Sequence, residues 1–508
     1  MNRWIVNIGS SYARFLVAIA AVVFVTPIII ERVGLEAYGI WALVLATVGL
    51  LGLMDFGLAT SAVKFIAERT GDADRDGRNR VMCALFTVYT GISIALLLGV
   101  TVATLGGPGE SMFGETRGQA VLLLAVGGSV AAGLFLSLFR AALAGAGLMY
   151  LANVVEIMVT FLYVSLTLLF LGLDYGVPGL AAALLMSSSA GAISLAIIAR
   201  LRIEGLRPRL TLMRWREVKG LLSFSIWAFV ANAAVLAILR MDPIIIKAFM
   251  PLSAVAVYAI AGRIAEYVLL LNKQFSNALM PLVSQAHGRG DEAVVERVLL
   301  DGSRYLMAIA LPMLALLAFH AETLLLIWLG EDLRAATTPL RLLSVAVGFS
   351  IIQLNAANVL GMTGRHRFVA ITMGASAALN LVVTIALIPA YGLVGAATAT
   401  LITAGVVEMG VILPVACRHL GIKMRTFLHH ALVPGMVGAV SATAVAAALA
   451  TQSPPDSLTG LVIHGSTAVA VAMPAMLFVG LSRSERESLS GTIARFGRRR
   501  SVANEGIA

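Results

Sequence analysis

Charge is scarce in this chain. Asp, Glu, Lys and Arg make up 13% of its 508 residues, about half the share usual for a soluble domain. A water-soluble globular protein is therefore excluded. Only two cysteines occur, Cys83 and Cys417, in or at the ends of apolar runs, so no disulfide framework is implied. No GxxxxGK(S/T) pattern is present, so the chain carries no nucleotide-binding loop of that kind. His366, His419, His429 and His430 show no metal-ligand spacing, and no nucleophile stands beside a candidate base. No metal or cofactor is expected. The opening "MNRWIVNIGSSYARFLVAIAAVVFVTP" lacks a small-residue cleavage pattern; it reads as a retained first membrane helix rather than a signal peptide.

What the chain has instead is apolar length. Mean hydropathy is +0.93, and runs long enough to cross a bilayer recur throughout. Because the runs are continuous rather than alternating, they predict helices and not a β-barrel. Fourteen apolar segments are predicted, at approximately 9–31, 37–60, 81–106, 118–142, 151–172, 176–199, 217–240, 253–280, 302–328, 337–361, 366–389, 392–417, 427–450 and 458–481.

The few cations test that count. Cytoplasmic segments should be rich in Lys and Arg. With the N-terminus inside, the inner segments hold 28 of the 37 Lys and Arg residues and the outer ones hold six, Arg32, Arg117, Arg240, Lys247, Arg334 and Arg341. The last three, Arg14, Arg263 and Lys273, fall within spans. The split predicts both termini on the cytoplasmic side. It also accounts for the net charge of +10 without nucleic acid. The tail "RFGRRR" (495–500) then faces anionic lipid headgroups.

The chain repeats itself. "TPIIIERVGLEAYGIW" (26–41) matches "DPIIIKAFMPLSAVAVY" (242–258), with Pro27 against Pro243 and Trp41 against Tyr258. "LAGAG" (143–147) matches "LGMTG" (360–364), and "YGVPGLAAA" (175–183) matches "YGLVGAATA" (391–399), all at offsets of 216 or 217. Two parallel six-helix halves are expected, 1–205 and 206–420, around a central cavity. Two extra helices (421–482) and a basic cytoplasmic tail (483–508) follow. Parallel repeats relate by an axis along the membrane normal.

In this arrangement the chain resembles the multidrug/oligosaccharidyl-lipid/polysaccharide exporter superfamily. "ERVGLEAYGIWALVLATVGLLGLMDFGLATSAVKFIAER" (31–69) resembles its polysaccharide-transporter branch, the O-antigen flippase type. The marks are Gly34, Tyr38, Gly39 and Trp41, then Asp55 and Gly57, then the basic loop from Lys64. "MDPIIIKAF" and "AVYAIAGRI" resemble the start of that family's second half. The likeness covers about residues 5–420. It implies flipping of a polyprenyl-diphosphate-linked oligosaccharide, a cell-surface polysaccharide precursor such as that of lipopolysaccharide, across the bacterial inner membrane. It implies membrane lipids as partners, and a polysaccharide polymerase or glycosyltransferases nearby. A cation-coupled multidrug exporter and a membrane enzyme of polysaccharide assembly stay open as alternatives. The long basic second loop and the lack of an acidic cation site in the first helix depart from the drug-exporter branch.

The candidate site comes from "GRIAEYVLLLNKQFSN" (262–277). At about 100° per residue, Arg263, Glu266, Lys273, Gln274 and Asn277 fall in one arc of about 100°, opposite Ile264, Leu269 and Leu271. Such a stripe points to a water-filled interior. On the first helix Asn7, Ser10 and Arg14 share a face. Arg14, Arg263, Lys273, Gln274 and Asn277 are therefore the candidate substrate residues, with cations suited to a diphosphate. Arg263 and Glu266, at i,i+3, can also neutralise each other. Asp55, Glu266 and Asp242 are candidate coupling or counter-ion residues, Asp242 paired with Lys247 near the outer end of the seventh helix. Glu156 and Glu408, on the fifth and twelfth helices, read as packed polar residues, with cavity acids as the alternative. Trp41 and Trp328 read as aromatic anchors at the outer interface.

Overall fold

The computed structural model describes residues 3–71, 74–105, 119–206 and 215–480. Arg117 and nearly all of the outer loop 104–118, Arg207, Arg209 and Arg214 of the inner segment, and the tail 483–508 lie outside the described residues.

The described chain is all helical, with no strand among its residues. In order, the helices are α1 (Arg3–Leu51), α2 (Leu58–Gly71), α3 (Arg75–Leu105), α4 (Gln119–Gly145), α5 (Met149–Gly172), α6 (Gly176–Arg202), α7 (Trp215–Phe249) and α8 (Leu252–Gly288). They continue as α9 (Glu292–Phe319), α10 (Ala321–Leu329), α11 (Thr337–Leu360), α12 (His366–Thr403), α13 (Leu413–His419), α14 (Met424–Gln452) and α15 (Leu458–Gly480). Hydrocarbon offers no water to an open N–H or C=O, so a spanning helix must bond its backbone internally. That constraint outweighs the proline inside α1, α7, α8, α9, α12, α14 and α15.

Eleven stretches among the described residues are long and apolar enough to cross a membrane. Two of them, Gly9–Asp55 with 47 residues and Glu331–His419 with 89, exceed what one crossing needs. Both contain breaks. In α1 the helical path fails at Gly34 (φ 83°, ψ 163°), and in α12 at Gly392 (φ 55°). A π-helical segment at Gly361–Arg365 divides α11 from α12. Residues with a Cβ rarely adopt these φ values. Two glycine pairs that the internal alignment sets opposite each other share this geometry: Gly176 and Gly392 both at φ 55°, and Gly147 and Gly364 at 73° and 87°.

The contacts divide the chain into two compact units. One holds Met1–Ile260 with Met373–Ala396, the other Ala261–Thr372 with Ala397–Ala508. These bounds differ from the halves 1–205 and 206–420 expected above. In the first unit, α2, α3 and α4 enclose a core of Leu58, Ile66, Leu85, Tyr89 and Leu138. A second cluster gathers Val25, Ile29, Trp41, Leu43 and Leu180. Trp41 is 2% exposed. The interfacial anchor expected there is instead a core residue, because the ring packs beside α4 and α6 side chains. Trp328 is half-buried. The segment between α2 and α3 is tied by Asp74, which accepts the Gly77 N–H at 2.7 Å and an Arg69 guanidinium N–H at 3.1 Å. The Gly77 N–H, then the arginines Arg69 and Arg80, hold its carboxyl below the usual range.

In the second unit α14 lies along α9. Gly435 permits the approach: a Cβ there would stand 2.5 Å from the Met307 carbonyl oxygen. Ala442 and Ala446 of α14 meet Ala468 and Ala472 of α15. Small residues at such contacts let helices approach closely where lipid removes the hydrophobic drive.

Two expectations follow. Phosphatase fusions after Asp174 and Asp456 should be active outside the cell and those after Arg75 and Gly290 inactive. An active fusion at Gly290 would break the fourteen-span topology. Gly435→Leu should lower stability by about 1–3 kcal/mol, read as thermal midpoint in detergent, whereas Gly465→Ala, which meets nothing within 4 Å, should leave it unchanged.

Candidate functional site

The polar face of α1 is real, but it is covered. Asn7 accepts the Tyr150 N–H at 2.9 Å, and the Asn153 amide donates to Ser10 and Ser11 at 2.9 and 3.0 Å. One helical turn further along, Arg14 donates to Glu156 at 2.9 Å. Arg140, from α4, stands 3.2 Å from the other oxygen of the same carboxylate. Side-chain exposures are 24% for Arg14, 31% for Arg140 and 13% for Glu156. Two guanidinium groups thus share one acid, and the cluster keeps one positive charge. Glu156 is a counter-ion and more than a packed polar residue. Arg140 and Asn153 were not among the sequence candidates. Arg140 could have been found as a lone cation closing the apolar run 118–142.

Asp55 occupies a break. After α1 the chain makes a 3-10 turn at Gly52–Asp55, and Phe56 (φ 49°) and Gly57 (φ 70°) take left-handed conformations before α2 begins. The turn re-aims Asp55. Its carboxylate accepts from the buried Tyr89 hydroxyl and from the Ala59 N–H at 3.4 Å. Asp55 also lines a cavity of about 380 Å³ together with Ser129, Ser137 and Ser188 from α4 and α6. An acid and three hydroxyls at a helix break make an oxygen-rich pocket.

In the second unit Arg263 donates to Glu266 at 3.2 Å, with side-chain exposures of 33% and 6%. The i,i+3 pair expected as the alternative is therefore present. Lys273 lies ten residues beyond Arg263 on the same helix and is half-buried. Among the described residues it makes no ion pair or hydrogen bond. Gln274 is half-buried and Asn277 exposed, while Ile264, Leu269 and Leu271 are half-buried too. Burial does not separate the two faces of α8. The buried Asn272 caps its own turn on the Val268 carbonyl at 2.8 Å, and Ser276 accepts from Asn358 at 2.8 Å.

Asp242 departs from expectation. It is 4% exposed and accepts from the Tyr258 hydroxyl at 2.6 Å; no ion pair with Lys247 forms. Residues five apart on a helix point about 140° apart, which keeps Lys247 away. Among the described residues no group of three or more metal-ligating side chains occurs.

The family model described as "Polysaccharide biosynthesis protein" matches residues 4–287. The chain belongs to this family. A second model, MatE, matches residues 228–386, and both fit the polysaccharide-transporter branch of the exporter superfamily. A probable low-salt glycan biosynthesis flippase, Agl15, of Haloferax volcanii is 24% identical over 195 residues, 37% of this chain and 39% of that one. A probable flippase, AglR, of the same organism is 26% identical over 171 residues, 32% of this chain and 35% of the other. The chain thus spans well under half the length of these two relatives. Among solved structures, the lipid II flippase MurJ in an inward closed conformation superposes with a TM-score of 0.69 at 13% identity, over 93% of this chain and 99% of that one. The fold is the same.

The triad yields a stability prediction. Glu156→Gln leaves two guanidinium groups without their acid, and breaking such a pair costs on the order of 3 kcal/mol. The thermal midpoint in detergent should fall, while Glu408→Gln, which strips no cation of its partner, should barely move it. Equal midpoints for wild type and Glu156→Gln would show that the triad contributes nothing to the fold.

Proposed function

We propose that the chain is a flippase that carries a polyprenyl-diphosphate-linked oligosaccharide across the bacterial cytoplasmic membrane by alternating access. On this reading it crosses the membrane fourteen times, with both termini cytoplasmic, and is not an enzyme. The supporting observation is the charge inventory of the apolar helices. Arg14 and Arg140 outnumber their single acid, Glu156, and Lys273 pairs with no acid among the described residues. A lone charge near the bilayer centre costs roughly 2.5–3.5 kcal/mol on insertion scales. Surplus cations of this kind suit an anionic cargo. A diphosphate carries about two negative charges and accepts many hydrogen bonds, matching guanidinium forks and an ammonium. The flippase relatives and the family support the same cargo class, a lipid-linked glycan.

The sugar-bearing precursor is taken to be that of a surface polysaccharide of the O-antigen or lipopolysaccharide kind, with polymerase or glycosyltransferases as the partners that consume and supply it. Arg14, Arg140, Arg263, Lys273, Gln274 and Asn277 are the residues assigned to it, Arg140 joining the sequence candidates.

One observation favours a second reading, export of a cationic small molecule. Asp55 and three serines line a cavity in the first unit, and such a pocket suits a cation. Uptake of a cationic dye by cells with and without the protein separates the two.

The test of the flippase is surface display of polysaccharide in a flippase-null cell, with protein level checked by blot. Arg14→Ala, Arg140→Ala and Lys273→Ala should each reduce display about tenfold or more, the effect of losing 1.4 kcal/mol or more of binding. Arg14→Lys should retain part, short of full rescue because it lacks the planar fork. Normal display by all three alanine variants at normal expression would remove these cations from the mechanism.

A further inference from the structure

One acid in the second unit forms no ion pair among the described residues. Glu408 sits in a nine-residue π-helical segment, Ala404–Ile412, between α12 and α13. It is 6% exposed. Its carboxyl is hydrogen-bonded to Ser350 of α11, and its Oε2 is buried with no partner. One turn along α11 from Ser350, and hence on the same face, Gln353 is also 6% exposed and its Oε1 likewise has no partner. The π segment rests against α11 beside these residues, Gly405 lying 3.7 Å, by its Cβ position, from the Phe349 ring.

Among the described residues, neither α11 nor α13, which pack against the segment, brings a charge to balance a carboxylate. The charged residue of α11 is Arg341, nine residues from Ser350, about 13 Å along the axis, and it donates to the Ala318 carbonyl. In α13 the ionisable groups are Cys417, Arg418 and His419, nine to eleven residues beyond Glu408. A buried carboxylate oxygen without a donor or a counter-charge is costly. A proton on Glu408 removes the charge and turns its unpartnered oxygen into a hydroxyl.

The backbone offers a way to change this. At the end of the segment the Leu413 N–H bonds to the Glu408 carbonyl, five residues back instead of four. One extra residue is thus stored in the turn that carries Glu408. Such π-bulges cluster at functional sites. Returning the turn to α-helical bonding moves the register by one residue, about 100°, and would carry the carboxyl away from Ser350.

We propose that Glu408 is the proton-binding acid of this transporter. A proton from water on one side forms the O–H bond on the Glu408 carboxylate. That bond breaks and the proton passes to water on the other side once the π-helical turn has changed register. A hard metal cation fits less well, because it takes about six oxygens or more and the side chains shown together here are Glu408 and Ser350. Proton binding here is independent of the cargo; its use to drive transport rests on the flippase reading.

The test uses the purified full chain in liposomes and infrared difference spectra between roughly pH 5 and pH 9, a range above the ordinary glutamate value of about 4.3. As pH falls, wild type should gain the C=O band of a buried carboxylic acid, and Glu408→Gln should lack that gain. In the flippase-null cell Glu408→Gln should lose display at least about tenfold at normal expression, while Glu408→Asp retains part. An unchanged carboxyl signal across the range overturns the proposal. So does a gain that persists in Glu408→Gln, a change driven by sodium at fixed pH instead, or full display by Glu408→Gln. If wild type itself gives no display, the flippase reading fails and the infrared titration alone decides for Glu408.

Discussion

In hydrocarbon a polar group without a partner is the most expensive thing a chain can hold. The structure is organised around that cost. It explains why the described residues are helical, since a helix satisfies its own backbone. It explains where irregular backbone appears: at glycines such as Gly34 and Gly392, and in the turn at Gly52–Asp55. There the freed backbone lies beside polar side chains or at the ends of spans. It also explains how side-chain charge is kept. Of the three cations counted within the expected spans, Arg14 and Arg263 are held by named acids.

The two units meet this cost in different ways. In the first, polar residues of α1 and α5 form a continuous seam, Asn7 and Tyr150, Ser10 and Asn153, Arg14 and Glu156, with Arg140 joining from α4. The steps bond one helix to the other, with Asn153 Oδ1 and Arg14 Nε left buried without a partner, and one surplus positive charge remains. In the second, Arg263 and Glu266 close on each other within one helix, His430 meets Asp301 between two helices, Glu408 is bonded to Ser350, and Lys273 makes no ion pair among the described residues. A seam between helices is hard to open without separating them. A pair within one helix, or a single ionisable group, can change state with a side-chain rotation or a shift of one turn.

How much of this was legible in the sequence depends on how local each feature is. The apolar runs and the Lys/Arg asymmetry were legible because insertion into a bilayer responds to short segments. The Arg263–Glu266 pair was legible as i,i+3 spacing. Arg14 and Glu156 are 142 residues apart, and no local pattern joins them, so the polar face of α1 read as open to water when it is closed by α5. The break at Asp55 was hidden in "LLGLMDFGLAT", an apolar run with glycines common to any membrane helix; the left-handed Phe56 has no sequence signature. Trp41 followed the statistical rule for tryptophan near a helix end, and a core built by distant residues overrode it. The π-helical turn at Glu408 was equally out of sight, since an extra residue in a helix leaves the hydropathy pattern unchanged.

Lys273 shows how these costs decide a role. Its side chain can stretch about 6 Å beyond the helix, and snorkelling places a lysine head in the interface only from near a helix end. Lys273 lies seven residues, about 10 Å, inside the predicted end of its span at residue 280, and α8 continues to Gly288. Snorkelling alone therefore leaves its ammonium short of the headgroups. Among the described residues of its unit no acid replaces them. An arginine in that place would bring five donors and a permanent charge; an ammonium is a compact point charge, readily transferred between partners. The residue suits a binding surface that must release what it holds, whereas the two arginines around Glu156 suit one that must keep its shape. The difference between holding and releasing is thus written in the choice of cation as well as in its place.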